Sequence, residues 1–163
     1  MHQRDPNHAN ARSSVACSSA ADNLPHLDVT VLHAIAQEAA DRIMEVYRAG
    51  FEVGIKEDDS PVTRADQDAS AIILNGLRAH SDWPVLSEED NIPSWTERQR
   101  WTTYWLIDPL DGTKEFVKKN GDFSVNIALI HHHRPIQGLI LAPVSGDCWW
   151  ATKGKGARHN TNA

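Results

Sequence analysis

The chain predicts an α+β fold of the layered type, on three observations. Two stretches in its first half repeat apolar residues at helical spacing. Several stretches beyond Trp101 alternate, or run apolar, at strand spacing. The two kinds are segregated along the chain, which favours helices laid on a mostly antiparallel sheet over a βαβ repeat. A length of 163 residues is enough for one such domain with a real core.

Residues 1–26 are small and polar without a sustained period, and read as a disordered N-terminal extension. The structured part is expected over 27–163. Leu32, Ile35, Ala36, Ala39, Ile43 and Tyr47 form the stripe of a first helix, with Asp28 as its N-cap and Gly50 at its end. A charged loop, Ile55-Lys-Glu-Asp-Asp-Ser-Pro61, follows. A second helix is expected from Thr63, buried through Ala65, Ala69, Ile72, Ile73 and Leu77. Val85-Leu86 reads as a short strand that delivers Ser87-Glu88-Glu89-Asp90, and Asn91 to Arg100 as a polar connection. Trp101 to Ile107 is β-branched and aromatic, hence a strand. Phe123–Ile130 and Ile136–Leu141 alternate in and out, joined by a hairpin connection over His131–Pro135, and Cys148–Thr152 is a last strand before a turn at Gly154–Gly156.

Composition excludes several function classes. A hydrophobic content of 40% is that of an ordinary globular domain. A net charge of −6 disfavours gripping a nucleic-acid polymer, which needs a basic stripe. A small phosphate ester stays open, because bound cations can supply the positive charge. Cys17 and Cys148 are widely separated and belong to no metal-spaced cluster, which suits a reducing, cytoplasmic setting. No apolar run approaches the roughly 18 residues of a membrane span, and no signal-peptide core is present.

Three acidic elements carry the chemistry. In Trp105-Leu-Ile-Asp108-Pro-Leu-Asp111-Gly-Thr113 an apolar strand ends in two carboxylates three residues apart. Pro109 holds Asp108 extended, and Gly112 permits a tight bend. Two carboxylates and a backbone carbonyl aimed into one volume suit a hard divalent cation. An Asp-stabilised turn is the competing reading. Glu88-Glu89-Asp90 also follows an apolar strand, and three adjacent acids repel one another unless solvated or bound to a cation. Thr63 and Asp66 are spaced as a capping box, while Asp66 could equally partner an attacking water.

The segments Ser60-Pro-Val-Thr-Arg-Ala-Asp66, Leu86-Ser-Glu-Glu-Asp90, Trp105 to Phe116 and Asn120 to Ile130 occur in this order and spacing. In that they resemble the CysQ-type 3'(2'),5'-bisphosphate nucleotidases of the inositol-monophosphatase superfamily. The resemblance runs from about Leu27 to Gly156. The Lys-Glu-Phe continuation after Thr113 is similar to the nucleotidase branch rather than the inositol branch.

The resemblance implies the N-terminal portion of a sugar-phosphatase fold, two helices on a mostly antiparallel sheet. It implies Mg²⁺ as cofactor: Glu88, Asp108 and the Leu110 carbonyl on one ion, Asp108 and Asp111 on a second. Asp66 and Thr113 would orient the attacking water. Glu88, Asp111, Gly112, Thr113 and Lys114 would hold the substrate phosphate, and Lys56 would lie on a lid. The implied reaction is hydrolysis of 3'-phosphoadenosine 5'-phosphate to AMP and phosphate, with action on the related 5'-phosphosulfate. The setting would be cytoplasmic, with peripheral attachment at the inner membrane face. Lithium sensitivity is implied as well.

One departure stands out. The family's W-D-x-A-A-G-like motif, whose Asp completes the second metal site, is absent, so a truncated chain of weak or no activity is expected. An inositol or sugar monophosphatase and a non-catalytic remnant remain as rival readings. His131-His132-His133 reads as an exposed turn, Lys118-Lys119 as a solvated pair, and Cys148 as a small buried apolar residue. Of Trp149-Trp150, one residue at most faces a given side.

Overall fold

The structure is a computed structural model that describes residues 24–49 and 61–160, with backbone alone for 61–63. The readings of residues 1–23, of Cys17, of Gly50, of the charged loop and of Lys56 lie outside the described residues.

Helix α1 (Val29–Ala49) starts where Asp28 predicts. The Asp28 carboxylate accepts from the Thr30 N–H at 2.8 Å, and its carbonyl accepts from Leu32 N at 3.0 Å. Helix α2 (Pro61–His80) corrects the sequence reading: it begins at Pro61, not Thr63. Proline's fixed φ suits a first helical turn, where its missing N–H costs nothing. The backbone of Thr63 therefore lies inside the first turn, not at its cap. The helices approach closely at Gly76, where an added Cβ would stand 2.7 Å from Ile35 Cγ1.

Six strands form one sheet in sequence order. They are β1 (Val85–Ser87), β2 (Thr103–Asp111), β3 (Ser124–His131), β4 (Arg134–Ala142), β5 (Asp147–Thr152) and β6 (Gly156–His159). β1 runs parallel to β2, and every other pairing is antiparallel. Strand β2 extends past Ile107 to include Asp108–Asp111. The connection at His131–Pro135 contracts to His132-His133, both at positive φ (47° and 59°), as a two-residue primed turn requires. Both of these histidines are exposed.

Three elements escaped the sequence reading. Helix α3 (Trp95–Arg98) sits inside the polar connection, capped by Ser94, whose hydroxyl accepts from Glu97 N at 3.3 Å. Helix α4 (Thr113–Lys118) follows Gly112. β6 forms from a polar tail with no apolar alternation. Its end is held by Asn160, whose side chain accepts from Cys148 N at 3.0 Å and donates to Gly146 O at 2.9 Å.

The two long helices cover one face of the sheet. Leu32, Ala36, Ala39, Ile43, Ala65, Ala69, Ile73 and Leu77 meet Trp105, Ile107, Ile127, Leu129, Leu139 and Cys148 in a single buried core. Polar ends inside it are paired: Trp105 Nε1 donates to Ser81 Oγ at 2.9 Å, and Gln137 bonds both the N–H and the carbonyl of Leu27 at 2.9 and 2.7 Å. Among the described residues no helix is long and apolar enough to cross a membrane.

Ile43 has no exposed surface. Its replacement by alanine is expected to cost about 2–5 kcal/mol, the range for emptying a packed aliphatic site, read from urea denaturation followed by circular dichroism.

Candidate active site

Parallel pairing brings the first two acidic segments together. Ser87 is in register with Ile107, and Glu88 N donates to Ile107 O at 3.3 Å. Both strands therefore deliver their next residues, Glu88 and Asp108, to the same edge of the sheet.

A bulge adds the next carboxylate. Asp108 pairs with Asn126 and Asp111 with Ser124, so two residues of β2 oppose one of β3. In a regular strand, residues three apart face opposite ways. The extra residue reverses that phase, and Asp108 and Asp111 share a face. The two residues between them, Pro109 and Leu110, are both buried. Asn126 Nδ2 donates to Asp111 Oδ2 at 3.2 Å.

Helix α2 supplies Asp66 from beneath. It is 4% exposed, and its Oδ1 has no hydrogen-bond partner. One turn on, Ser70 Oγ lies 3.5 Å from Ser87 Oγ, which ties α2 to the end of β1. Burial pushes the Asp66 carboxyl up to about 8, helped by a hydrogen bond with Glu89 and by the charges of Glu89, Asp108 and Glu88. Burial also pushes Asp108 up to about 7, with the charges of Glu88 and Asp111 and a hydrogen bond with Glu88 adding to it. The Leu110 backbone N–H, donating to that carboxylate, acts the other way.

The loop beyond is set by Gly112, whose φ of +94° and packing against Asp122 O (2.8 Å from an added Cβ) admit glycine alone without strain. Its carbonyl accepts from Glu115 N and Phe116 N, both at 2.9 Å. The N–H groups of Thr113 and Lys114 precede any intrahelical acceptor. An aromatic cluster anchors the loop: the rings of Tyr47, Phe116 and Phe123 lie 5.0–5.2 Å apart.

The structure thus brings Asp66, Glu88, Asp108 and Asp111 into one charged group and adds Glu89, which sequence reasoning left undistinguished within its triplet. Asn126 and Ser124 are new. They lie within the Asn120–Ile130 segment, and their register opposite the bulge singles them out of it. Thr113 and Lys114 stand beside Asp111 along the chain, at the start of α4. Lys56 lies outside the described residues. A cavity of about 1040 Å³ opens over Glu88, Asp108, Asp111, Ser124 and Asn126 and continues across the sheet.

A hard cation fits this group. All the donors are oxygens, one buried carboxylate oxygen is orphaned, and burial, with mutual repulsion added, raises two of the acids. Among the described residues no group of three or more His, Cys, Asp or Glu side chains stands, as placed, so as to hold a metal ion.

The raised acids make a prediction about stability. An unfolded aspartate titrates near 3.8, and the folded groups near 7 and 8. Between those values the native chain holds protons that the unfolded chain releases, so stability falls as pH rises. The penalty is absent below the unfolded value and complete above the folded ones. In the presence of a chelator, the thermal midpoint is expected to drop from about pH 5 to about pH 8. Asp66→Asn should flatten much of that drop. A pH-independent midpoint in the parent chain would contradict the repulsion.

Comparison with known proteins places the sequence and the fold. The family model described as the inositol monophosphatase family matches residues 26–163. The 3'(2'),5'-bisphosphate nucleotidase CysQ of Salmonella typhimurium is 53% identical over 124 residues, covering 74% of this chain and 50% of the relative. Its namesake in Aggregatibacter actinomycetemcomitans is 44% identical, covering 76% and 46%. The crystal structure of CysQ from Bacteroides thetaiotaomicron superposes with a TM-score of 0.73 at 36% identity, covering 84% of this chain and 51% of that one. An inositol monophosphatase from Zymomonas mobilis gives a TM-score of 0.69 at 29% identity, covering 87% and 52%. The chain spans about half the length of the relatives it matches. Family match, sequence and fold agree: the chain belongs to the inositol monophosphatase family.

Proposed function

We propose that this chain carries the acidic half of the active site of a Mg²⁺-dependent phosphomonoesterase. It would hydrolyse the 3'-phosphate of 3'-phosphoadenosine 5'-phosphate to give AMP and phosphate, and act likewise on the 5'-phosphosulfate. The observation that carries the reading is the convergence of Asp66, Glu88, Asp108 and Asp111 from three separate elements around an orphaned carboxylate oxygen. The substrate is taken from the nucleotidase relatives, at up to 53% identity, against 29% for the Zymomonas inositol monophosphatase.

Glu88, Asp108, Asp111 and the Leu110 carbonyl would hold the ions. Mg²⁺ held there supplies positive charge that neutralises phosphoryl oxygens and acidifies water. The remaining work falls to the chain. Asp66 offers its unpartnered Oδ1 to a proton of the attacking water, and Thr113 orients that water by its hydroxyl. The backbone N–H groups of Gly112 and Thr113, with the Lys114 ammonium, hold the phosphate oxygens. Water adds to phosphorus, the bond from phosphorus to the 3'-oxygen breaks, and the leaving oxygen takes up a proton. Phosphoryl transfer needs such positioning and charge neutralisation more than covalent help. The reaction belongs to the cytoplasm in this reading.

The test is phosphate release from 3'-phosphoadenosine 5'-phosphate, with inositol 1-phosphate run alongside. Release should require Mg²⁺ and favour the nucleotide. Asp108→Asn should lower it by about 100-fold, the scale for removing one group that stabilises developing charge. The variant relieves repulsion, so it should melt no lower than its parent in chelator, and lost activity would not reflect unfolding. Undiminished release by Asp108→Asn, or release in chelator, would refute the assignment.

A further inference from the structure

Among the described residues the buried polar or charged side chains are Asp66, Ser70, Ser87 and Gln137. Gln137 serves the Leu27 backbone. The other three gather in one corner, where α2 passes beneath the end of β1, and the two serines have no part in the chemistry above. Packing calls for neither of them. Ser70, 5% exposed, shares the buried side of α2 with Ala69, Ile73 and Leu77, and alanine is the better helix former. Ser87, 2% exposed, ends β1 after Val85 and Leu86. A hydroxyl taken out of water at either place costs stability unless something bonds it.

Each serine answers the other. Their Oγ atoms stand 3.5 Å apart across the gap between helix and strand, and neither is left without a partner. Ser87 Oγ also accepts from Glu89 N at 3.3 Å, a serine turn closed around Glu88. Glu88 N is fixed too, donating to Ile107 O at 3.3 Å. The Glu88 backbone is thus held on both sides, and its downstream hold runs through Ser87 to α2. One turn before Ser70 on that helix comes Asp66. Repulsion between Asp66 and the acids that follow β1 pushes the helix and the strand end apart, and the serine contact opposes it.

We propose that Ser70 and Ser87 are positioning residues of the acidic site, a hydroxyl bridge that sets the spacing between Asp66 on α2 and Glu88 at the end of β1. This role rests on the phosphatase reading above, in which Glu88 holds Mg²⁺ and Asp66 meets the attacking water. Neither serine touches the ion or the substrate. Both act through the two acids they hold in place.

The test compares the whole chain with Ser70→Ala, Ser87→Ala and the double variant. Calorimetric titration with Mg²⁺ should show affinity about tenfold lower in each single variant, the scale for groups that orient metal ligands. The double variant should bind no more weakly than Ser87→Ala, because the same bridge is lost in both. In chelator the double variant should melt no lower than the parent, since both hydroxyls leave together, and its lost affinity would then not reflect unfolding. Amide exchange at Glu89, followed by nuclear magnetic resonance in chelator, needs neither metal nor turnover. It should quicken by about fivefold in Ser87→Ala, the worth of an ordinary hydrogen bond, and also in Ser70→Ala, although Ser70 does not contact that amide. Unchanged Glu89 exchange in Ser70→Ala, or parental Mg²⁺ affinity in the double variant, would overturn the bridge. A parent chain that binds no Mg²⁺ but shows the coupled exchange would count against the phosphatase reading and support the bridge.

Discussion

Like charges packed out of water are the constraint on which this structure turns. Asp66 is nearly buried, and Glu88, Glu89, Asp108 and Asp111 press on it or on each other from two strand ends. Each acid alone is an ordinary surface group. Together they cost stability in every state except protonated or neutralised by a cation. A fold that assembles them must hold them by other means, and those means shape everything around the site.

The holding is done by apolar packing at a distance from the charge. Asp66 rides on α2, whose Ala65, Ala69, Ile73 and Leu77 are buried against the sheet and α1. Asp108 and Asp111 flank Pro109 and Leu110, both buried, so the bulge is pinned by its own core residues. The glycine turn beyond is clamped by Tyr47, Phe116 and Phe123, which tie it back to α1. Repulsion among a few carboxylates is thus offset by burial spread over many aliphatic and aromatic contacts. The same division of labour keeps the acids rigid, as positioned charge requires.

The two faces of the sheet answer different demands. The helix-covered face is closed by large side chains such as Trp105, Leu129 and Leu139. The other face carries small residues in a row, a tryptophan stacked on His159 at 4.6 Å and 8°, and the acidic edge. The cavity over the acidic edge continues across this face.

The sequence by itself determined the helix stripes, the Asp28 cap, the strands and the identity of the acidic segments. These depend on local periodicity and on motifs short enough to carry their own geometry. It misjudged the start of α2, because Pro61 at a first helical turn looks like a breaker when read alone. It missed α3, α4 and β6, which are short or polar and owe their form to a cap, a left-handed glycine and pairing with β5. Only the tertiary structure decided that Asp108 and Asp111 share a face, since one residue of bulge against β3 sets that phase. It alone singled out Glu89 within its acidic triplet, and Asn126 and Ser124 within their strand. It alone separated a sealed face from an open one, because strands with apolar residues on both sides do not say which side is covered.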